Sequence, residues 1–181
     1  MELRSALRYE EFELHYQPRV STRDGVISGV EALIRWRHPS GKLVMPDSFI
    51  PLAEQTDLIV GIGEWVVGEA CRQFQLWQRQ GLQLERISVN ISPRQFREPG
   101  LVGVIDGALR KYGMAPQQLE IELTESMLME DMEQAIRTMQ ALKELGVYIA
   151  LDDFGTGHSC LSHMRRFPFD ILKIDKSFVR E

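Results

Sequence analysis

The chain has 181 residues, 44% of them apolar and 26% charged, with a net charge of −5 at neutral pH. That length suits one domain with a real core, and the acidic balance excludes an overall basic field that would draw the chain to nucleic acid or an anionic membrane. Phosphates, if bound, are held by local groups or by metal ions. Two cysteines, Cys71 and Cys160, give neither a disulfide framework nor zinc spacing, and the apolar run "LIVGIGEWVVGEAC" is broken by glutamate and too short to span a bilayer. No signal-peptide pattern precedes Tyr9, so the expectation is a cytoplasmic domain without a transmembrane segment and without DNA or RNA polymer as partner.

The opening "FELHYQPRV" alternates Phe12, Leu14, Tyr16 and Val20 against Glu13, His15, Gln17 and Arg19, which predicts a strand with one wet face. After the turn "STRDG", "VISGVEALIRW" predicts a second strand, paired with the first as a hairpin. It carries Glu31, Leu33 and Arg35 on one face, charge in a segment apolar enough to be buried. "PDSFIPLAEQT" predicts a short helix with Asp47 or Ser48 as N-cap. Ile62, Trp65, Val66, Ala70, Phe74 and Trp77 then share one face of a helix over 62–80, ended by Gly81, and "RISVNIS" is the next strand. Leu101, Ile105, Leu109 and Tyr112 mark a helix ended by Gly113, followed by the strand "LEIEL". Met132, Ile136, Met139, Leu142 and Leu145 mark another, ended by Gly146, before "VYIALDDF" and finally "ILKID". Three helices that stop at glycine and feed short apolar strands describe a parallel sheet with helices outside it.

Polar groups recur where these strands end: Asn90, Glu122, Asp152 with Asp153, Lys173 with Asp175, and Glu31 on the second strand. Singly, each has a plain reading as a turn, a cap or a solvated face. Their recurrence at one end of successive strands favours a site, because α/β barrels keep their chemistry at the carboxyl ends. Glu31, Asn90, Glu122, Asp152 and Asp153 offer only hard oxygens, which suit Mg²⁺ or Mn²⁺ and not zinc. Two such ions can activate a water for in-line attack on a phosphodiester. Asp152 and Asp153 point to opposite faces of a straight strand, so one site needs a bend there, which the glycines of "DDFGTG" permit. Arg35 lies about 13 Å from Glu31 along an extended strand. It therefore reaches a second anionic group instead of the same metal, as suits a ligand with two phosphates.

"YQP", "GVEALIRWRHP", "FIPLAE", "VNIS", "LEIELTES", "LDDFGTG" and "LKIDKSF", in this order and spacing, resemble the EAL domain, the bacterial cyclic di-GMP phosphodiesterase module named for the triplet Glu31-Ala32-Leu33. The resemblance covers nearly the whole chain, and the combination of motifs is far more specific than the triplet alone. It implies an α/β fold, a TIM-like (β/α) barrel with an antiparallel first strand. It also implies hydrolysis of cyclic di-GMP to the linear dinucleotide with two Mg²⁺ or Mn²⁺ ions. By the same resemblance Glu31, Asn90, Glu122, Asp152 and Asp153 hold metal, and Lys173 assists the attacking water, with Asp175 beside it. Glu31, Asp152 and Lys173 are thus the catalytic set, and Gln17, Leu33, Arg35 and Asp175 the substrate contacts. Glu125 matches a residue that holds the loop carrying "DFGTG"; from the residues alone it is a charge favourable at a helix N-terminus. A homodimer and attachment to sensor or GGDEF-type domains in a parent protein are further implications.

Two departures accompany the match. His158 and Cys160 stand where the family usually has Tyr and Ser, neither of them a metal position. Six strands are read over 1–181, taken as a single EAL-type domain, whereas an eight-unit barrel takes about 250 residues. The last two strand–helix units of the family, with a further metal-binding Glu and a Gln, are therefore expected to be missing. That expectation sets a second reading beside the enzyme: an inactive or truncated domain that acts as a cyclic di-GMP receptor or protein-interaction module.

Overall fold

The computed structural model describes residues 2–154 and 165–178. The two alternating segments form an antiparallel hairpin, β1 (Phe12–Val20) on β2 (Ile27–Arg37), in register from Phe12 opposite Trp36 to Arg19 opposite Gly29. A two-residue strand, β3 (Leu43–Val44), also pairs antiparallel with β2. From β2 onward the main strands run parallel: β4 (Arg86–Asn90), β5 (Leu119–Thr124), β6 (Tyr148–Phe154) and β7 (Ile171–Ile174). The order is β1-β2-β4-β5-β6-β7, the six strands expected, with β3 an unread addition.

The helices are α1 (Glu2–Arg8), α2 (Pro46–Gln55), α3 (Leu58–Arg79), α4 (Pro93–Phe96), α5 (Leu101–Tyr112), α6 (Glu125–Glu130) and α7 (Met132–Leu145). On α3, Ile62, Val66, Ala70 and Phe74 are buried as their spacing requires, while Trp65 and Trp77 are partly covered. The helix starts at Leu58, a turn earlier than the apolar face suggests, and Gly81 follows its capping residue Gln80. Gly113 and Gly146 cap α5 and α7 in the left-handed region, with φ of 65° and 98°, which only glycine adopts cheaply. Helix α2 departs from expectation at its start. Its N-cap is Met45, without a side-chain cap bond, and Asp47 and Ser48 lie inside the first turn, because Pro46 at the first helical position needs no partner for a missing N–H. Helices α1, α4 and α6 run for only 7, 4 and 6 residues, too short for a periodic signal.

Strand β2 answers the question of charge in an apolar strand. Its outer face, Val30, Ala32 and Trp36, is buried under helices, and Glu31, Leu33 and Arg35 lie on the other face, inside the curve of the sheet. Phe12 of β1 joins the outer layer, its ring 6.3 Å from Trp36, 5.7 Å from Phe49 and 6.0 Å from Trp65, and Tyr16 meets Trp77 edge-on at 4.6 Å. Val20, read on that same face, is exposed, because the register with β2 shifts at Arg19/Val20. The wet face of β1 is thus an interior face. The curvature is visible in the side chains: β2 and β7 are four strand spacings apart, about 19 Å in a flat sheet. Yet Lys173 of β7 reaches Glu31 of β2 at 3.5 Å.

No helix of the described residues is long and apolar enough to cross a membrane. Cys71 is fully buried on α3, and burial pushes its thiol up to about 12. The thiolate is the reactive form. Iodoacetamide at pH 8 should therefore leave the Cys71 peptide unlabelled in the native protein and label it fully in denaturant, as read by mass spectrometry.

Candidate active site

Parallel pairing stacks the ends of the strands in register. Asn90 lies opposite Glu122 on the β4–β5 ladder, and Thr124 opposite Asp152 on the β5–β6 ladder. The side chains of Glu122, Asp152 and Glu31 meet at one cation. The Lys173 ammonium donates to Glu122 Oε2 at 2.5 Å, to Asp152 Oδ2 at 2.8 Å and to Glu31 Oε2 at 3.5 Å. Asn90 Nδ2 donates to the other oxygen of Glu31 at 2.9 Å, which fixes the plane of that carboxylate. Burial works against the Lys173 ammonium, but Glu122, Asp152 and Glu31 more than offset it and hold its pKa above the ordinary lysine value. Burial raises the carboxyl of Glu122, and the ammonium beside it acts in the opposite sense.

Asp152 and Asp153 share one strand end through a bend at Asp153 itself. Its φ is 54°, and the β6–β7 register shifts between Leu151 and Phe154. A bulge of this kind re-aims a side chain, and the left-handed conformation costs an ordinary residue about 1–2 kcal/mol, least for Asp and Asn. The bend had been expected from the glycines of "DDFGTG"; these, with His158 and Cys160, lie outside the described residues. Asp153 N donates to Asp152 Oδ1 at 2.9 Å, locking the pair.

The remaining candidates flank this cluster. Gln17 is exposed on β1 directly opposite Glu31. Leu33 and Arg35 are half-buried further along β2, and Arg35 Nη1 donates to the Ile34 carbonyl at 2.8 Å. Asp175 follows β7, where its Oδ1 accepts from Ser177 N at 2.8 Å. Glu125 opens α6 and is buried, at 7% exposure. A cleft of about 530 Å³ runs past Glu31, Leu33 and Asn90, between Ile50 of α2 and Met127 of α6.

A second layer of charge lies beneath, and sequence reasoning missed it. Arg19 donates to fully buried Glu120 at 2.5 and 3.1 Å and stands 3.9 Å from Glu122 Oε1. Arg86 adds a cation 3.7 Å from Glu120 and stacks 4.2 Å over the Tyr148 ring. The signal was present: a period of two puts Glu120 on the same face as Glu122, and Arg19 on the wet face of β1.

As the side chains stand, no three acidic, histidine or cysteine groups among the described residues already form a metal-holding shell. Their meeting point is taken by the Lys173 ammonium. The donors nevertheless fit a hard divalent cation. Three carboxylate oxygens lie within 3.5 Å of one positive centre, and a single ammonium serves all three.

With this geometry in view, the comparisons are specific. The family model for the EAL domain matches residues 1–181. The signaling protein YkoW of Bacillus subtilis is 46% identical over 179 residues, 99% of this chain and 22% of that protein. The bifunctional diguanylate cyclase/cyclic di-GMP phosphodiesterase MucR of Pseudomonas aeruginosa is 46% identical over 180 residues, 99% of this chain and 26% of that protein. The chain thus spans 22–26% of the length of these relatives. The solved structure of the PaMucR phosphodiesterase in complex with c-di-GMP superposes with a TM-score of 0.93 at 46% identity, covering 98% of this chain and 72% of that one. The FimX EAL domain from Pseudomonas aeruginosa bound to c-di-GMP gives 0.88 at 26% identity, covering 99% and 72%. The fold class is accordingly α/β of the TIM-like barrel type, with its first strand antiparallel.

Replacing the central cation tests the electrostatic account of the cluster. Lys173→Met leaves three partly buried carboxylates facing one another and should cost about 3–5 kcal/mol in urea unfolding without metal. Added Mn²⁺ should then raise the melting temperature of the variant more than that of the parent.

Proposed function

Since this chain belongs to the EAL domain family, we propose that it hydrolyses cyclic di-GMP to the linear dinucleotide pGpG, as a phosphodiesterase with two Mg²⁺ or Mn²⁺ ions. The observation that carries the reading is the convergence of Glu31, Glu122 and Asp152 on Lys173, with Asn90 holding Glu31. The resemblance to a cyclic di-GMP phosphodiesterase over 99% of the chain supports the same substrate.

In this reading Glu31, Asn90, Glu122, Asp152 and Asp153 hold the ions. The bound ions supply Lewis acidity and a water of lowered pKa. Asn90 keeps Glu31 in one orientation. Lys173, held protonated by its carboxylate neighbours, orients the attacking water and balances charge developing on the phosphate, and Asp175 steadies the turn that follows it. Arg35 takes the phosphate that does not react, through the planar fork of its guanidinium. Gln17 and Leu33 contact the nucleotide beside it, Leu33 from the wall of the cleft. Glu125 is buried at the start of α6, and the loop it is expected to hold lies outside the described residues. The whole protein's partners are part of the proposal: a homodimer, with sensor or GGDEF-type domains attached.

The test is incubation with cyclic di-GMP and Mn²⁺, followed by chromatographic separation of the nucleotides. The linear dinucleotide should appear and should vanish with a chelator. Intact cyclic dinucleotide that is nonetheless bound would replace the enzyme with a receptor. Glu31→Ala should lower kcat by at least about 100-fold with the fold retained by circular dichroism. Arg35→Ala should raise KM by roughly 10- to 100-fold with a smaller change in kcat, as loss of a charge-assisted contact implies. Normal hydrolysis by Glu31→Ala would refute its place at the metal.

A further inference from the structure

Glu122 is the most enclosed carboxylate of the site, at 1% exposure, and its two oxygens live differently. Oε2 is held by Lys173, whereas Oε1 faces Arg19 Nη1 at 3.9 Å, with the buried Ser88 hydroxyl also beside the Glu122 carboxylate. Arg19 cannot drift from that position, because its fork is bound through both nitrogens to Glu120, itself fully buried. Gly29 of β2 lets the backbone of β4 approach at Arg86. A Cβ at Gly29 would stand 2.7 Å from the Arg86 carbonyl and 3.4 Å from Arg19 Nη2. Arg86, pinned over Tyr148, closes the far side of Glu120.

We propose that Arg19 is a positioning residue for Glu122: anchored by Glu120, it holds Oε1 on the lower side of the site and so keeps Oε2 turned to the cation at the mouth. The inference rests on the phosphodiesterase reading for its consequence, but the geometry concerns cation binding alone. A lysine could supply the charge but not the fork that grips Glu120 while facing Glu122.

The deciding variant is Arg19→Met combined with Glu120→Gln. It removes a half-buried cation and a buried anion together, so net charge beneath the site is kept and the hold on Glu122 is lost. Mn²⁺ affinity is read directly from the electron paramagnetic resonance of free Mn²⁺, beside the melting temperature and steady-state kinetics. The dissociation constant for Mn²⁺ should rise about tenfold, as for other residues that orient a metal ligand, and kcat should fall with KM little changed. The melting temperature should stay close to that of the parent. A folded double variant with parental Mn²⁺ affinity and kcat would overturn the proposal. So would a variant whose only change is a lower melting temperature. Should the double variant fail to fold, Arg19→Lys decides: weaker Mn²⁺ binding with stability retained supports the role, and full retention of affinity rejects it. A parent chain that binds Mn²⁺ but leaves cyclic di-GMP intact would sink the phosphodiesterase reading and leave this comparison standing.

Discussion

Carboxylates brought from three strands onto one face repel at close range, and the ammonium of Lys173 from a fourth strand lets them meet. The same contact draws β7 toward β2 across the intervening strands. Curvature of the sheet and assembly of the site therefore share one contact. A sheet that stayed flat would leave Glu31 and Lys173 far apart, and a sheet that curled without the lysine would bring like charges together without compensation. The cost of enclosing these groups is borne by the outer layer, where the strands bury Val30, Ala32, Val89, Ile121 and Ile149 against helices.

Strand β2 shows how the two demands coexist. Alternation gives one face to the helices and the other to the site, so an apolar strand carries a carboxylate and a guanidinium without placing either in the hydrophobic core. The stretch next to Arg35 is fixed by packing. Trp36 lies against Phe12 and Phe49 and donates from Nε1 to Glu11 at 2.9 Å. Arg35 is thus presented from backbone fixed by the packing of the residue next to it.

Most of the fold was legible because its signals are periodic. The apolar face of α3, the glycine ends of α5 and α7, and Asn90 at the end of β4 all follow from spacing alone, whereas β5 and β6 run two residues beyond Glu122 and Asp152. Short elements were not legible: a four-residue helix such as α4 rests on the Ser92–Gln95 capping box, and its sequence carries no repeating face. The N-cap of α2 was misread because Asp and Ser are good caps in general, whereas Pro46 sets the start by its fixed φ. At the site, ligand-type residues stood out as polar groups in or at the ends of apolar strands. Arg19 and Glu120 lie one layer deeper and pair across 101 residues of chain, a distance at which spacing says nothing about contact. The bend at Asp153 was expected from neighbouring glycines but falls on an aspartate, a residue that visits the left-handed region more readily than most.

The charge balance of the interior explains why the site asks for cations. Its two layers hold Glu31, Glu120, Glu122 and Asp152 against Arg19, Arg86 and Lys173, four anions to three cations. The lower layer is self-sufficient: Glu120 has two guanidinium neighbours and is closed from solvent. Among the described residues the surplus of negative charge therefore sits at the mouth, where Lys173 serves three carboxylates. Lysine is a flexible point charge on a long stem, so on the proposed reading it would yield the centre of that cluster to a harder cation. An arginine in the lower layer is rigid and forked, suited to holding and not to yielding. The division of cation types between the two layers follows the division of labour: a fixed floor, and a mouth whose charge is exchangeable.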